Sequence, residues 1–581
     1  MKIILTTLNS KYIHTNLAIR YLKEYVKDLA SVDIMEFTIN QTMDDIVGEI
    51  YKRKPTVLGF STYIWNVEQT LKIAETIKII LPNTKILLGG PEVSFDSVKL
   101  LKEHKFIDYI IYGEGEETFR ELINNNKLSE IDGLIYRDGE EITINSPRKL
   151  IDKLERIPSP YENIGKEFEN KIAYYESSRG CPFSCKFCLS STIKGVRYFP
   201  IDRVKKDILN LIKAGVSQVK FVDRTFNANK LYSMEIMKYI MNLDPKDINF
   251  HFEITAHLID DAILEFLKTP KEGLFQFEIG VQSTNPMTIN AISRVTDFEK
   301  LKRVTTQIKN NRNIHQHLDL IAGLPYEDYT SFKKSFNDVY SIKPEKLQLG
   351  FLKLLKGSDL REKAKEYGFK YLNKPPYEVL SSNYMSYSDI YKLKGIEDIV
   401  EKYYNEGYFA HSIQFIIGNF FDSPFDFYED YAQYWNNMSL NNISHSRNSQ
   451  YQILLDYYNY KEFDNIDSFK ELLKFDYLFN NKKITLPVGI KRLETIPKGK
   501  IHELLKEREF LNNCLPEKVN IPTKVLIKDV IIEGFNKDVL TMINSKYVAL
   551  DRYEEKYLLF YYENNVINKC KVFDVTKFVR S

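Results

Sequence analysis

Residues 177–188 read SSRGCPFSCKFC, in which Cys181, Cys185 and Cys188 form a CxxxCxxC run. Thiolates are soft ligands suited to iron–sulfur clusters or zinc, and four of them close a structural site. Only three are gathered here. Three thiolates on a [4Fe–4S] cluster leave one iron open, as a catalytic metal keeps a position for substrate. The competing reading is a zinc knuckle completed by a distant histidine. The run follows a strand-like segment, IAYYESS, and loops at strand ends are where barrels carry chemistry.

Downstream, strand-like and helical segments alternate: helix Val204 to Ala214, strand VSQVKFVD, helix Lys230 to Met241, strand INFHFEI, helix Asp260 to Lys268, strand LFQFEIGV, helix Asp297 to Asn310, strand IHQHLDLIAGL, helix Tyr329 to Tyr340 and LQLGFLKLL. About six such units predict a (β/α)6 partial barrel over 171–357. Upstream, β-branched runs at Lys2 to Thr7, Val32 to Phe37, Val57 to Ser61, Lys85 to Gly89 and Tyr109 to Gly113 alternate with segments of helical period. They predict a doubly wound, Rossmann-like domain over 1–145. A hairpin and a proline-punctuated stretch, IPSPYENIG, lead into a linker at 146–170. The remainder, 358–581, reads as a mainly helical domain rich in Tyr, Phe and Lys, with a β-rich tail. The fold class is therefore α/β with a helical C-terminal third.

A chain of 581 residues exceeds one hydrophobic core and, with 43% apolar residues, can fill several. Its 81 basic and 79 acidic side chains nearly cancel, which removes the uniform field of a protein held to nucleic acid mainly by charge. No run approaches the roughly 18 apolar residues of a membrane helix, and the start MKIILTTLNSKYIH turns polar too early for a signal peptide. Five cysteines, three within eight residues, suit a reducing compartment and a metal site, so the expected location is cytoplasmic, away from membranes. Cys514 and Cys570 read as bystanders.

With its cysteine run and barrel-like repeat, the chain from about Ile172 to Leu355 resembles the radical S-adenosylmethionine superfamily. The resemblance implies that the open iron chelates the methionyl moiety of S-adenosylmethionine and that reductive cleavage yields a 5′-deoxyadenosyl radical. HFEITAH, FEIGVQS, AISRVTD and HLDLIAGLP resemble elements of its coproporphyrinogen-oxidase-like branch, which implies cofactor contacts at Glu253, Gln282, Arg294 and Asp319. Asp223, in VKFVDRTFN, is a further candidate for cofactor or substrate. The first domain resembles the cobalamin-binding domain of the B12-dependent branch through NSKYIHTNLAIRYL, LGFSTYIWN, LLGGPEVS and YGEGEETF. Glycine in such loops lets a bulky ligand pack against backbone. Ser61, Thr62, Gly89, Gly90, Pro91, Glu92, Gly113 and Glu114 are the implied contacts. The DxHxxG motif of many cobalamin proteins is absent; Tyr12-x-His14-x-x-Leu17 stands in its place. With Asp and Gly of the motif missing, the reading favours no histidine ligand, and His14 is kept as a candidate contact. Tyr377 to Phe409 resembles the tail of a subgroup whose C-terminal domain has no known function (DUF4080-like).

These resemblances imply a radical enzyme that methylates an unactivated carbon, using a [4Fe–4S] cluster, S-adenosylmethionine and methylcobalamin. An external one-electron donor of flavodoxin or ferredoxin type is implied, because no second cluster motif occurs. The substrate is open between a small molecule and modified tRNA, as is the oligomeric state. A non-methylating rearrangement or reduction with the same cofactors is the alternative chemistry. A cobalamin- or metal-sensing protein without turnover is the alternative of another class.

Overall fold

The computed structural model describes residues 1–482, 485–493, 496–550, 552–563 and 570–580. The chain packs as two units, one of Met1–Pro344 with Leu349–Ile390 and the other of Glu345–Gln348 with Tyr391–Ser581.

The first unit opens with β1 (Ile3–Asn9), β2 (Val32–Thr38), β3 (Val57–Ser61), β4 (Lys85–Gly89) and β5 (Tyr109–Ile111), all parallel. The hairpin of β6 (Leu134–Asp138) and β7 (Glu141–Ile144) adds antiparallel strands at the β5 edge. The order is β2-β1-β3-β4-β5-β6-β7. β1 and β3 are buried along their whole length because both faces are covered, as parallel sheets require. Ile4, Leu8, Leu58, Phe60, Ile86 and Leu88 face one core and Ile3, Leu5, Val57 and Leu87 the other. The direction of winding reverses between β1 and β3, which opens a crevice at the carboxyl ends of the strands.

The barrel sheet follows in sequential order: β8 (Ile172–Tyr175), then, after the hairpin of β9 (Ser178–Cys181) and β10 (Gly195–Tyr198), β11 (Gln218–Phe221), β12 (Asn249–Glu253), β13 (Phe275–Gln282), β14 (His315–Ala322) and β15 (Lys346–Phe351). These six strands without their hairpin make the expected (β/α)6 partial barrel. Its helices start where their capping residues dictate: Asn229, Asp260, Asp297 and Asp328 each accept a backbone N–H of the first turn. Period-2 alternation buries Phe275, Phe277, Ile279 and Val281 of β13 and leaves Gln276 and Glu278 on the other face.

Backbone and side-chain hydrogen bonds at the start of β8 join the doubly wound domain to the barrel. Ile172 of β8 donates to Ile13 O at 2.8 Å, and Thr15 Oγ1 donates to Ile172 O at 3.0 Å. In the second unit, helices Ala410–Phe420, Pro424–Asn437, Arg447–Tyr460 and Ile466–Asn480 bury a Tyr- and Phe-rich core, and an antiparallel sheet of Val530–Phe535, Lys556–Tyr562 and Cys570–Asp574 follows. Among the described residues no helix is long and apolar enough to cross a membrane.

The hairpin of β9 and β10, which the sequence pattern did not reveal, depends on Gly180. Its φ is +97°, and a Cβ there would stand 2.1 Å from Gly195 O on the facing strand. Gly180→Ala is therefore expected to destabilise the protein by about 1 to 3 kcal/mol, read as a lowered midpoint in thermal unfolding. An unchanged midpoint would contradict the tight strand contact.

Candidate functional site

The hairpin presents the cysteines. Cys181 ends β9, Cys185 is buried in the turn, and Cys188 caps a short helical turn by accepting from Ser190 N at 3.4 Å. All are free thiols. Thr225 Oγ1 lies 3.6 Å from Cys181 Sγ, and Arg294 Nη1 donates to Cys185 Sγ at 3.7 Å. Burial raises the Cys185 thiol pKa, and the Arg294 guanidinium pulls it back toward the thiolate that binds iron. Among the described residues no three His, Cys, Asp or Glu side chains gather as a single-ion site. The donor set here is three thiols spaced along one loop, with Cys514 and Cys570 both in the other unit, which suits three irons of a cluster better than one zinc.

The segment before the cysteines is clamped. Buried Asp223 accepts Ser177 N at 2.9 Å and Ser177 Oγ at 2.6 Å, and also takes Ser178 Oγ. Burial pushes its carboxyl up to about 6 against those hydrogen bonds. Its acceptors are occupied by the loop, so Asp223 acts here as a positioning residue.

Glu253, Gln282, Arg294 and Asp319 come together at the carboxyl end of the barrel. Arg294 Nη2 donates to Gly280 O, and a Cβ on Gly280 would collide with the Gln282 amide, 2.1 Å away. Burial raises the carboxyls of Glu253 and Asp319, helped in both by the charge of Glu278. Gln282 Oε1, Arg294 Nε and Asp319 Oδ1 are buried and meet no hydrogen-bond partner among the described residues. Buried polar atoms are nearly always paired, so three orphans on one rim mark a place for polar ligand groups. Deeper in the barrel Glu278 Oε2 lies 3.2 Å from Lys220 Nζ and 2.9 Å from His251 Nε2, and Gln276 Nε2 is 3.1 Å from His317 Nε2. The hydrogen bond with His251 outweighs burial and, with Lys220, holds the Glu278 carboxyl down at about 2.

A cavity of about 690 Å³ lies where the carboxyl ends of β1, β3, β4 and β5 face β8, β9 and β11. It is lined by His14, Ser61, Gly89, Gly90, Pro91, Gly113 and Glu114 on the first side. Bare backbone borders it: a Cβ on Gly113, at φ +79°, would meet nothing within 4 Å. Thr62 and Glu92 point elsewhere. Thr62 Oγ1 donates to Gly89 O at 2.6 Å, tying β3 to β4, and buried Glu92 takes the Tyr377 hydroxyl and Lys356 Nζ, the latter at 3.1 Å. His14 Nδ1 lies 2.7 Å from the Tyr174 hydroxyl, and burial with Lys11 and Lys220 lowers its pKa, so the ring is neutral at pH 7.

Several lining residues escaped the sequence reading. Tyr63 and Trp65 stack with centroids 4.4 Å apart, an aromatic shelf whose only sequence signal is their place after β3. More consequential is a half-buried to buried charge cluster. Arg179 Nη2 meets Glu116 Oε1 at 2.6 Å, its Nε meets Glu176 Oε1 at 2.8 Å, and Nη1 meets Glu114 Oε1 at 3.4 Å. Arg197 of β10 pairs with Glu114 at 2.6 Å and donates to Ile151 O at 2.7 Å. Burial raises Glu114, but Arg197 and Arg179 more than reverse this and leave it below its ordinary value. Burial holds Glu176 above its own.

A model of a B12 binding domain matches residues 3–123, one of the radical SAM superfamily matches 175–339, and one of a protein of unknown function, DUF4080, matches 365–560. The chain is similar to the cobalamin-dependent radical SAM methyltransferase TokK of Streptomyces tokunonensis, 27% identical over 56% of this chain and 51% of that protein. It is also similar to 2-(S-pantetheinyl)-carbapenam-3-carboxylate methyltransferase of Streptantibioticus cattleyicolor, 28% identical over 48% of this chain and 44% of the relative. The chain thus spans about half the length of these relatives. In fold it resembles the cobalamin-dependent S-adenosylmethionine radical enzyme OxsB with aqua-cobalamin and S-adenosylmethionine bound, with a TM-score of 0.58, 16% identity and coverage of 82% of this chain and 78% of that one.

Removing one partner from a buried ion-pair cluster strands the others, so Arg179→Ala is expected to cost about 3 to 5 kcal/mol in chemical denaturation. Arg179→Lys, which keeps the charge but not the fork, should fall between the two. Glu278 supplies a pH signature. Its folded pKa is depressed, so its stabilisation is present above the ordinary carboxylate pKa near 4.5 and is lost as pH falls toward about 2. The stability gap between the native protein and Glu278→Gln should be full at pH 7 and shrink steadily below pH 4.5; a gap constant to pH 3 would refute the pairing.

Proposed function

We propose that this chain, whose residues 3–123 match a B12 binding domain and whose residues 175–339 match the radical SAM superfamily, is a cobalamin-dependent radical S-adenosylmethionine enzyme methylating an unactivated carbon of its substrate. The observation that carries the reading is the cavity walled on one side by the glycine loops of the B12 binding domain and on the other by the barrel strands that lead to the cysteines. A corrinoid in that cavity and S-adenosylmethionine on the barrel rim would face a common space.

The residues present fit these groups. Cys181, Cys185 and Cys188 would hold a [4Fe–4S] cluster, with Arg294 favouring the thiolate at Cys185. The orphaned Gln282 Oε1 and Asp319 Oδ1, with Glu253, would accept from the ammonium and hydroxyl groups of S-adenosylmethionine. Gly89, Gly90 and Gly113, beside Ser61 and Pro91, would let the corrinoid lie against backbone, with His14 and Glu114 at its edge. When bound, the three groups supply the radical that removes hydrogen from the substrate and the methyl group that replaces it. The chain itself would orient them through the Asp223 clamp and the Arg179 cluster. Radical SAM enzymes take their electron from an external donor; a flavodoxin or ferredoxin would serve here.

Anaerobic reconstitution with iron, sulfide and hydroxocobalamin, followed by reduction with S-adenosylmethionine present, tests the proposal. 5′-Deoxyadenosine is expected, and its absence with the cluster intact sinks the radical chemistry. Cys185→Ala should lose both the cluster absorbance and the deoxyadenosine while still taking up cobalamin. A product heavier by one methyl group, in extracts treated with the enzyme, separates methylation from a rearrangement or reduction.

A further inference from the structure

β11 runs out into Asp223-Arg224-Thr225, and the three side chains serve three places. Asp223 clamps Ser177 and Ser178. Thr225 Oγ1 touches Cys181 Sγ at 3.6 Å and donates to Arg224 O at 2.7 Å. Arg224, exposed, lines the cavity between them. Its backbone is thus fixed on both sides by neighbours that also fix the cysteine hairpin.

The other cationic groups on the cavity wall are committed. Arg179 and Arg197 are bound to Glu114, Glu116 and Glu176, and neutral His14 is engaged by Tyr174. Deeper on the same strand face, Lys220 is paired with Glu278. Among the described residues no hydrogen bond or ion pair reaches the Arg224 guanidinium, although its charge is felt at Glu253 on the barrel rim. Arg224 therefore stands where the cavity of the B12 binding domain gives way to the rim. Under the function proposed above, that is where the substrate must lie.

We propose that Arg224 anchors the substrate by an anionic group, a carboxylate or a phosphate, held in the cavity against the end of β11. A guanidinium offers a planar fork that matches both oxyanions, and a ligand that covers it without pairing it strips its water at a cost. A purely hydrocarbon substrate laid on this wall would be such a ligand. The inference rests on the cobalamin-dependent reading for its geometry of use, and it narrows the substrate to a polar, acidic molecule.

Equilibrium dialysis of the cluster- and cobalamin-loaded protein against radiolabelled inorganic phosphate and, separately, acetate provides the test. One saturable site is expected for at least one of them, and the anion that binds tells phosphate from carboxylate. Arg224→Ala should weaken that site by about tenfold to a hundredfold, the worth of a charged hydrogen-bonded pair, with Arg224→Lys intermediate. The cobalamin absorbance of the same samples reports that each variant is folded and loaded. No saturable site in the native protein, or equal binding by Arg224→Ala, overturns the proposal. Loss of cobalamin from Arg224→Ala also overturns it, by assigning the residue to the corrinoid. Failure of the radical reading would show separately, as native protein that makes no 5′-deoxyadenosine.

Discussion

Arg179 is two residues from the first cysteine of the triplet, and three carboxylates from two domains converge on it. Glu176 comes from the end of β8, while Glu114 and Glu116 come from the loop after β5. Arg197, across the hairpin, shares Glu114, which also accepts Ile151 N. The cluster ties the segment after β5 to the cysteine hairpin, which cannot slide against the first domain without exposing unpaired charge. Desolvation offsets much of the Coulomb attraction in such a cluster, so its contribution is registry more than net stability. Two guanidiniums face three carboxylates there, and burial, aided by the charges of Glu116 and Glu114, holds Glu176 above its ordinary value.

The inner face of the barrel divides by depth. Near the floor, Glu278 draws Lys220 and His251 together, and Gln276 meets His317. At the rim, Asp319, Gln282 and Arg294 hold buried atoms that meet no hydrogen-bond partner among the described residues. A folded chain tolerates such atoms where a ligand completes them, since each costs the desolvation of an unmade hydrogen bond. Asp223 shows the converse: a carboxylate at a strand end, in the place of a binding residue, whose oxygens are taken up by its own loop.

Local features of the chain were legible from residues alone. The cysteine spacing, the strand runs at β1 to β5, the barrel repeat and capping residues such as Asp260 and Asp297 all act within a few positions. The hairpin of β9 and β10 was not legible, because GVRY is too short to stand out and pairs only through a glycine with positive φ. Thr62 and Glu92 carry the polarity expected of ligand contacts, yet they are turned to Gly89 and Tyr377.

The sequence by itself determined the chemistry available: three thiols on one loop, glycines at strand ends and an alternation that winds into a partial barrel, all set by short-range spacing and propensity. Tertiary structure alone decided which side chains meet. Arg179 reaches Glu116 across 63 positions, Arg294 reaches Cys185 across 109, and Tyr377 reaches Glu92 across 285. Such pairings follow from where packing closes the chain on itself, and no local pattern encodes the partner of a lone charge.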